Sequence, residues 1–319
     1  MTHKPMSYRL HHLPVGATLL AMALALAGCA SVPVGKSGAE SSALGKLDDN
    51  RSKVAYGTEL PASSATEAIQ YGDLAVAQGD LDKALFRYIQ AMELDEHNAE
   101  ALAKIGVIHA SRGNPQLAEI AYRWALKEDP GHAVALTGLG VLSLEKRDYA
   151  EAKQHLQAAV AADDRNARAH NALGIIADLE RDYTLAQHHY ERSLSSNPGS
   201  PSLLNNLGYS RYLAGNQTGA IAAFREALVN DPDYKKAWRN LALVYVRQER
   251  YDDAIDALSK IQSLPKAYND VGYLAMVAGK LKEAQGYFEA AKRESPEFYE
   301  LADINQRRVE IMQGHSAAP

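Results

Sequence analysis

Cysteine is nearly absent from the sequence: Cys29 stands alone among 319 residues, which excludes an intrachain disulfide and leaves no cysteine cluster to hold a metal. Basic residues never gather into a long run, and Lys and Arg (34) are outnumbered by Asp and Glu (39), for a net charge of −5. A protein that tracks a phosphate backbone has no electrostatic basis here, so no nucleic-acid partner is expected. A bilayer span needs about 20 apolar residues, and the run from Ala17 to Ala27 is about half that. The sequence also lacks a nucleophile elbow, a zinc-protease motif and a glycine-rich nucleotide turn. No catalytic residue, cofactor or metal site is therefore assigned, and no enzymatic activity is expected. What the chain does have is 46% hydrophobic residues, ordinary for a packed protein, which excludes disorder throughout.

The lone cysteine sits at an informative place. Lys4 and Arg9 precede the apolar run with no acid among them, and small residues follow it, the order of an export signal. The run ends in Leu26-Ala27-Gly28-Cys29. That tetrapeptide resembles the bacterial lipobox, and the resemblance implies a lipid on the Cys29 sulfur and cleavage before it, making 1–28 a lipoprotein signal peptide. Ala30 and Ser31 follow, with no Asp, which by resemblance to known lipoproteins implies the outer membrane, facing the periplasm. After cleavage Lys and Arg fall from 34 to 32 while Asp and Glu stay at 39, leaving −7. Several acyl chains would make the attachment stable where one is marginal.

Residues 29–64 are rich in Ser, Gly and other small side chains with no sustained period, and they read as a lipidated tether. Flexible chain of this length reaches about 30–35 Å. Gly35-Lys36-Ser37 within it fails as a phosphate loop, because Ala30 stands where that motif needs a glycine.

From Ala65 onward the chain is periodic. Glycines fall at Gly72, Gly106, Gly140, Gly174 and Gly208, Ala242 continues the series, and Gly272 arrives after a shorter step. Ala84, Ala118, Ala152, Ala186, Ala220 and Ala254 keep the same interval, with Ala284 after the same shortening. Ala91, Ala125, Ala159, Ser193 and Ala227 form a third series, and Pro130, Pro198, Pro232 and Pro296 mark repeat ends. Short polar turns "QGD", "RGN", "KRD", "ERD" and "AGN" recur, whose last residues Asp80, Asn114, Asp148, Asp182 and Asn216 suit a helix N-cap.

This pattern resembles the tetratricopeptide repeat, which implies an all-α, right-handed superhelical solenoid of seven helix-turn-helix units at 65–98, 99–132, 133–166, 167–200, 201–234, 235–264 and 265–298. Small residues let the two helices of a unit approach, and larger ones wedge between them: Leu102, Leu136, Leu204, Trp238 and Tyr268 on the first helix, Tyr88, Tyr122, Tyr190 and Phe224 on the second. Arg250 and Lys280 replace the caps of the last two units, and the sixth is short, which predicts an irregular joint near Gln262 to Lys266. Residues 299–319 hold a closing helix, Tyr299 to Met312, with Gln306, Arg307 and Arg308 outward.

Histidines and paired carboxylates do not form a reaction centre. His188 and His189 are adjacent and so point to different sides of a helix, and His170 occupies a packing position. Asp163-Asp164 and Asp252-Asp253 lie at repeat ends or helix starts, where acids cap.

Binding remains. By family resemblance the concave groove is lined by the second, fifth, sixth, ninth and twelfth positions of each repeat. In the first units these are small or apolar, such as Ile69, Ala103, Val107, Val141 and Leu144. Later they become Arg168, Asn171, Asn205, Asn206, Tyr209, Tyr212, Arg239, Asn240, Asn269 and Tyr273, residues suited to a peptide backbone, rigid contact and carboxylate clamping. The Lys-and-Asn arrangement of chaperone-binding members is not reproduced. "LNNLGYSRYLAGNQTGAIAAFREAL", "AWRNLALVYVRQERYDDAI" and "YNDVGYLAMVAGKLKEA" resemble the TadD-type tetratricopeptide lipoproteins of tight-adherence (Flp) pilus systems. That resemblance implies a membrane-anchored scaffold for protein partners, assisting an outer-membrane secretin or pilus component. A type IV pilus pilotin, an adaptor for peptidoglycan-processing enzymes and, in another class, a hydrolase on a repeat scaffold are the alternatives.

Overall fold

The computed structural model describes residues 62–314. The expected signal peptide, Cys29 and the expected tether up to residue 61 lie outside the described residues, as do residues 315–319. Among the described residues the chain is all α, with fifteen helices and no strand. It begins with α1 (Ala65–Ala77) and α2 (Leu81–Leu94), α3 (Ala99–Ser111) and α4 (Pro115–Glu128), and α5 (Ala133–Glu145) and α6 (Tyr149–Ala162). The middle holds α7 (Ala167–Leu179) and α8 (Tyr183–Ser196), then α9 (Pro201–Leu213) and α10 (Gln217–Asn230). It closes with α11 (Lys235–Arg247) and α12 (Tyr251–Ser259), α13 (Leu264–Val277) and α14 (Leu281–Glu294), and the single helix α15 (Glu300–Met312). Each odd helix packs most on the helix after it and then on the next pair, so the core propagates along the chain as an α-solenoid.

Side chains start these helices. Asp80 accepts from the Lys83 backbone N–H at 2.9 Å, Asp148 from Glu151 at 3.2 Å, Asp182 from Leu185 at 3.0 Å and Asn216 from Gly219 at 2.9 Å. Asn114, expected to do the same, makes no side-chain cap bond; α4 opens on Pro115, whose ring presets φ and removes one of the donors needing a partner. α12 and α14, preceded by Arg250 and Lys280, are uncapped by side chains. The first helices carry caps as well, from Ser64, Asn98, Asn166 and Ser200.

Within every pair the middle turn residue is left-handed. Gly215, at φ 83°, adopts this without penalty, but Arg147, Arg181 and Glu249 hold φ of 64°, 64° and 59°. Each of these three stores about 1 kcal/mol of strain.

What crosses the periodic glycines explains them. A Cβ on Gly72 would lie 2.3 Å from the Tyr88 ring, and one on Gly208 would lie 2.7 Å from Phe224. Tyr122, Tyr190 and Phe288 cross the equivalent glycines of their pairs, and Leu156 takes the place in the α5–α6 pair. In α11–α12, where Ala242 adds a methyl, Leu258 stands where the ring would be, and both are buried. Leu102, Leu136 and Leu204 are buried wedges; Trp238 and Tyr268 stay half-buried, and Trp238 Nε1 donates to the Pro232 carbonyl at 2.8 Å.

The irregular joint is located by helix length. α12 has 9 residues where α10 has 14, so the shortening removes the end of a helix, and Gln262 crosses the joint to donate to Asp270 Oδ2 at 2.8 Å. α15 stacks on α13 and α14 through Ala302, Asn305 and Val309. Arg307 and Arg308 face outward as expected, but Gln306 is half-buried, because it follows Ala302 by four residues and shares its flank.

Candidate partner-binding groove

The odd-numbered helices lie side by side, and side-chain bonds between them fix which residues share a surface. Asn206 Nδ2 donates to Asn171 Oδ1 at 3.0 Å, Asn240 Nδ2 to Asn205 Oδ1 at 2.8 Å, and Asn305 Nδ2 to Asn269 Oδ1 at 3.0 Å. The groove asparagines are thus joined to one another from helix to helix, and Asn205 and Asn269 are themselves buried. What they offer a ligand is limited to the polar atoms that these bonds leave over.

Residues three, four or seven positions from an asparagine fall on the same face. Tyr209 and Tyr212 follow Asn205 in this way and lie with ring centroids 6.1 Å apart, half-buried. Tyr273 follows Asn269 and is half-buried; Arg168 precedes Asn171, and Arg239 neighbours Asn240, both exposed. All ten groove residues expected from the sequence therefore lie along the odd-numbered helices from α7 to α13. Tyr122 reaches this surface from α4, its ring lodged between Gly106 and Gly138, where a Cβ would come within 2.5 and 2.3 Å. Its hydroxyl is buried next to the Arg168 side chain. Burial pushes its pKa up, and the Arg168 charge opposes that push.

The earlier stretch is different. Lys104 is held by Asp73 at 2.9 Å and Glu100 at 3.1 Å, and His132 reaches Glu100 at 3.0 Å. The His132 hydrogen bond, with Lys104 behind it, brings Glu100 down to about 2. The apolar lining Ile69, Val107, Val141 and Leu144 is half-buried against the core, and Ala103 is buried.

Two polar clusters brace the α7–α8 pair. Asp178 accepts from Ser210 Oγ at 2.6 Å and from Tyr190 Oη at 2.9 Å; burial lifts its carboxyl to about 6, against the pull of these two donors. His170 Nε2 bonds the Asp164 carbonyl at 3.1 Å, and its Nδ1 meets His189 Nδ1 at 3.0 Å. Burial lowers both imidazoles, His189 to about 4, while His188 is exposed on the other side of α8. Three of the four paired carboxylates are occupied, Asp164 by Arg192 at 3.1 Å, Asp163 by the Arg165 backbone and Asp253 by Arg250 at 2.7 Å, and Asp252 lies in the first turn of α12. Among the described residues no group of three or more His, Cys, Asp or Glu is placed to hold a metal, and no helix is long and apolar enough to cross a membrane.

Two family profiles, both described as tetratricopeptide repeat, match the chain, one over residues 70–133, 180–235 and 220–270 and the other over 110–176. The chain is a tetratricopeptide-repeat protein. Such an array is a scaffold for protein–protein contact. Among solved structures, that of Pseudomonas aeruginosa PilF is similar at 21% identity and a TM-score of 0.51, over 68% of this chain and 98% of that one. A tetratricopeptide-repeat protein from Parabacteroides merdae is similar at 18% identity and a TM-score of 0.50, over 78% and 99%. The Cut9–Hcn1 tetramer of the APC/C gives 17% and 0.55, over 81% of this chain but 50% of that one. Likeness at these identities is likeness of fold. No curated protein matches the chain.

In the tetratricopeptide-repeat groove several residues join the expected set. Lys236 precedes Asn240 by one turn, Lys266 precedes Asn269, Arg247 follows Asn240 by two turns, and Arg308 follows Asn305. Leu301, Ile304 and Ile311 lie on the Arg308 side of α15 and are exposed. The signal for most of them was register: Lys236, Lys266 and Leu301 recur at the place of Arg168, Ile304 at that of Asn171, Arg308 at that of Tyr209 and Ile311 at that of Tyr212, while Arg247 lies one residue beyond that last place.

Proposed function

We propose that this protein is a lipid-anchored envelope scaffold that captures a segment of a protein partner in the later half of its groove. Cys29 would carry the anchor in the outer membrane, residues 29–64 would hold the array off the surface on the periplasmic side, and the odd-numbered helices from α7 onward would do the binding. What supports the reading is that half-buried Tyr209, Tyr212 and Tyr273 and exposed Arg168 and Arg239 recur at groove positions of successive odd-numbered helices, a supply of rigid contact area and of carboxylate-binding groups. The partner proposed is an outer-membrane secretin or another component of a tight-adherence pilus, on the resemblance of the blocks between Leu203 and Ala284.

The test is cross-linked capture from the protein's own cells by full-length wild type beside the Asn205→Ala, Arg239→Ala double variant, with bound proteins identified by mass. A secretin or pilus component recovered by wild type alone is the expected result. Equal recovery by both proteins would remove the groove from the reading, and recovery of a peptidoglycan enzyme would replace the pilus role. Palmitate labelling that persists in Cys29→Ser would remove the anchor.

A further inference from the structure

The later groove is electrostatically unbalanced in a protein whose net charge is negative. Arg168, Lys236, Arg239, Arg247, Lys266 and Arg308 line it, five exposed and Lys236 half-buried, and none of them is in an ion pair among the described residues. Two carboxylates share this surface, Asp178, which accepts from Ser210 and Tyr190, and Asp270, which accepts from Gln262; these neutral donors leave their charge in place, so the six cations outnumber them rather than standing alone. Earlier in the same surface the opposite holds, since Lys104 is flanked by two carboxylates within 3.1 Å. Unpaired cations concentrated on one concave stretch raise the local concentration of anions and repel cations, whatever the net charge elsewhere.

We propose that the groove from α7 to α15 selects an acidic, extended segment of the partner protein. The proposal rests on the groove reading above and adds the chemistry of what the groove accepts. Asn–Asn bonding uses uncharged groups, and against the two carboxylates of Asp178 and Asp270 the six cations set the sign. The tyrosines supply sequence-tolerant contact between them, and the exposed Leu301, Ile304 and Ile311 would take apolar side chains at the segment's end. Five odd-numbered helices spaced about 10 Å apart span about 40 Å, the reach of about 12 extended residues.

The experiment is fluorescence anisotropy of the full-length protein in detergent with labelled peptides of about 12 residues, alternating Glu-Thr, Gln-Thr or Lys-Thr. The Glu-Thr peptide should bind at least about tenfold more tightly than the Gln-Thr peptide, and weaken steeply between about 0.05 and 0.5 M salt. Arg239→Glu with Lys266→Glu should transfer the preference to the Lys-Thr peptide, while the melting curve stays near wild type because both side chains are exposed. Should that variant not fold, Arg239→Gln with Lys266→Gln must still abolish most of the preference. Binding of the Gln-Thr peptide as tight as that of the Glu-Thr peptide, lost on Tyr209→Ala, would overturn the acidic selection and leave the groove standing. No binding by any peptide would overturn both. Tighter binding of a thymidine strand of similar length than of the Glu-Thr peptide would replace the peptide by nucleic acid.

Discussion

The two halves of the array share a skeleton and differ in lining. In both, a residue without a side chain is crossed by a large one from the next helix, Gly106 under Tyr122 early and Gly208 under Phe224 late. Yet the early groove is apolar with its charges neutralised in place, while the later groove carries bonded asparagines, tyrosines and unpaired cations. Positions that hold helix to helix are constrained by close packing, whereas positions facing the concavity are free to follow a ligand.

Substitution can break this comparison. Gly106→Leu and Gly208→Leu should each cost about 3 kcal/mol by overpacking, equally in the two halves, seen as matched losses in denaturant midpoint. A midpoint equal to wild type in either would refute the shared skeleton. Gly208→Ala should be partly rescued by Phe224→Leu, the combination that α11 and α12 already use in Ala242 and Leu258. Asn305→Ala should cost about 1–2 kcal/mol by leaving the buried Asn269 Oδ1 without its donor. The early half has no counterpart, because Ala103 and Gly138 stand at its equivalent places. A loss for Asn305→Ala no larger than for an exposed surface alanine would show that the asparagine bonds contribute nothing.

The smallest effect concerns pH. Asp178 holds its proton up to about 6 when folded, above its unfolded value of 3.8, so the favourable protonated form is fully present at low pH. That contribution is lost as pH rises from about 4 to 6. Asp178→Asn should therefore gain about 1 kcal/mol relative to wild type at pH 8, and the gain should vanish near pH 4. His170 and His189 act in the opposite direction, their lowered values making stability fall as pH drops from 6.5 toward about 4. A pH-independent difference between Asp178→Asn and wild type would count against a carboxyl buried in this way.

The skeleton was legible in the sequence because close packing tolerates only Gly, Ala or Ser at fixed intervals, and few other constraints produce such a series. The asparagine bonds were not legible, since each runs to a residue 35 or 36 positions away and so slips past the 34-residue period. Lys236, Lys266 and Arg308 escaped notice for a different reason. Lysine and arginine are common on any helix surface, so their register with the groove positions of other repeats stands out only once neighbouring helices are seen side by side. Gln306 was misplaced because polarity alone was used to send it outward, whereas its spacing from Ala302 puts it on a buried flank.

The short α12 has a consequence for cooperativity. In a linear array, stability is close to a sum of nearest-neighbour couplings, and the α11–α12 pair touches less extensively than any other pair. The array is thus most weakly coupled inside this pair, although its core runs on through it, with Arg168 and Tyr209 before it and Lys266, Tyr273 and Arg308 after it. A segment lying across the whole groove would fasten the two blocks together. Its binding energy would appear partly as a steeper, more cooperative unfolding transition.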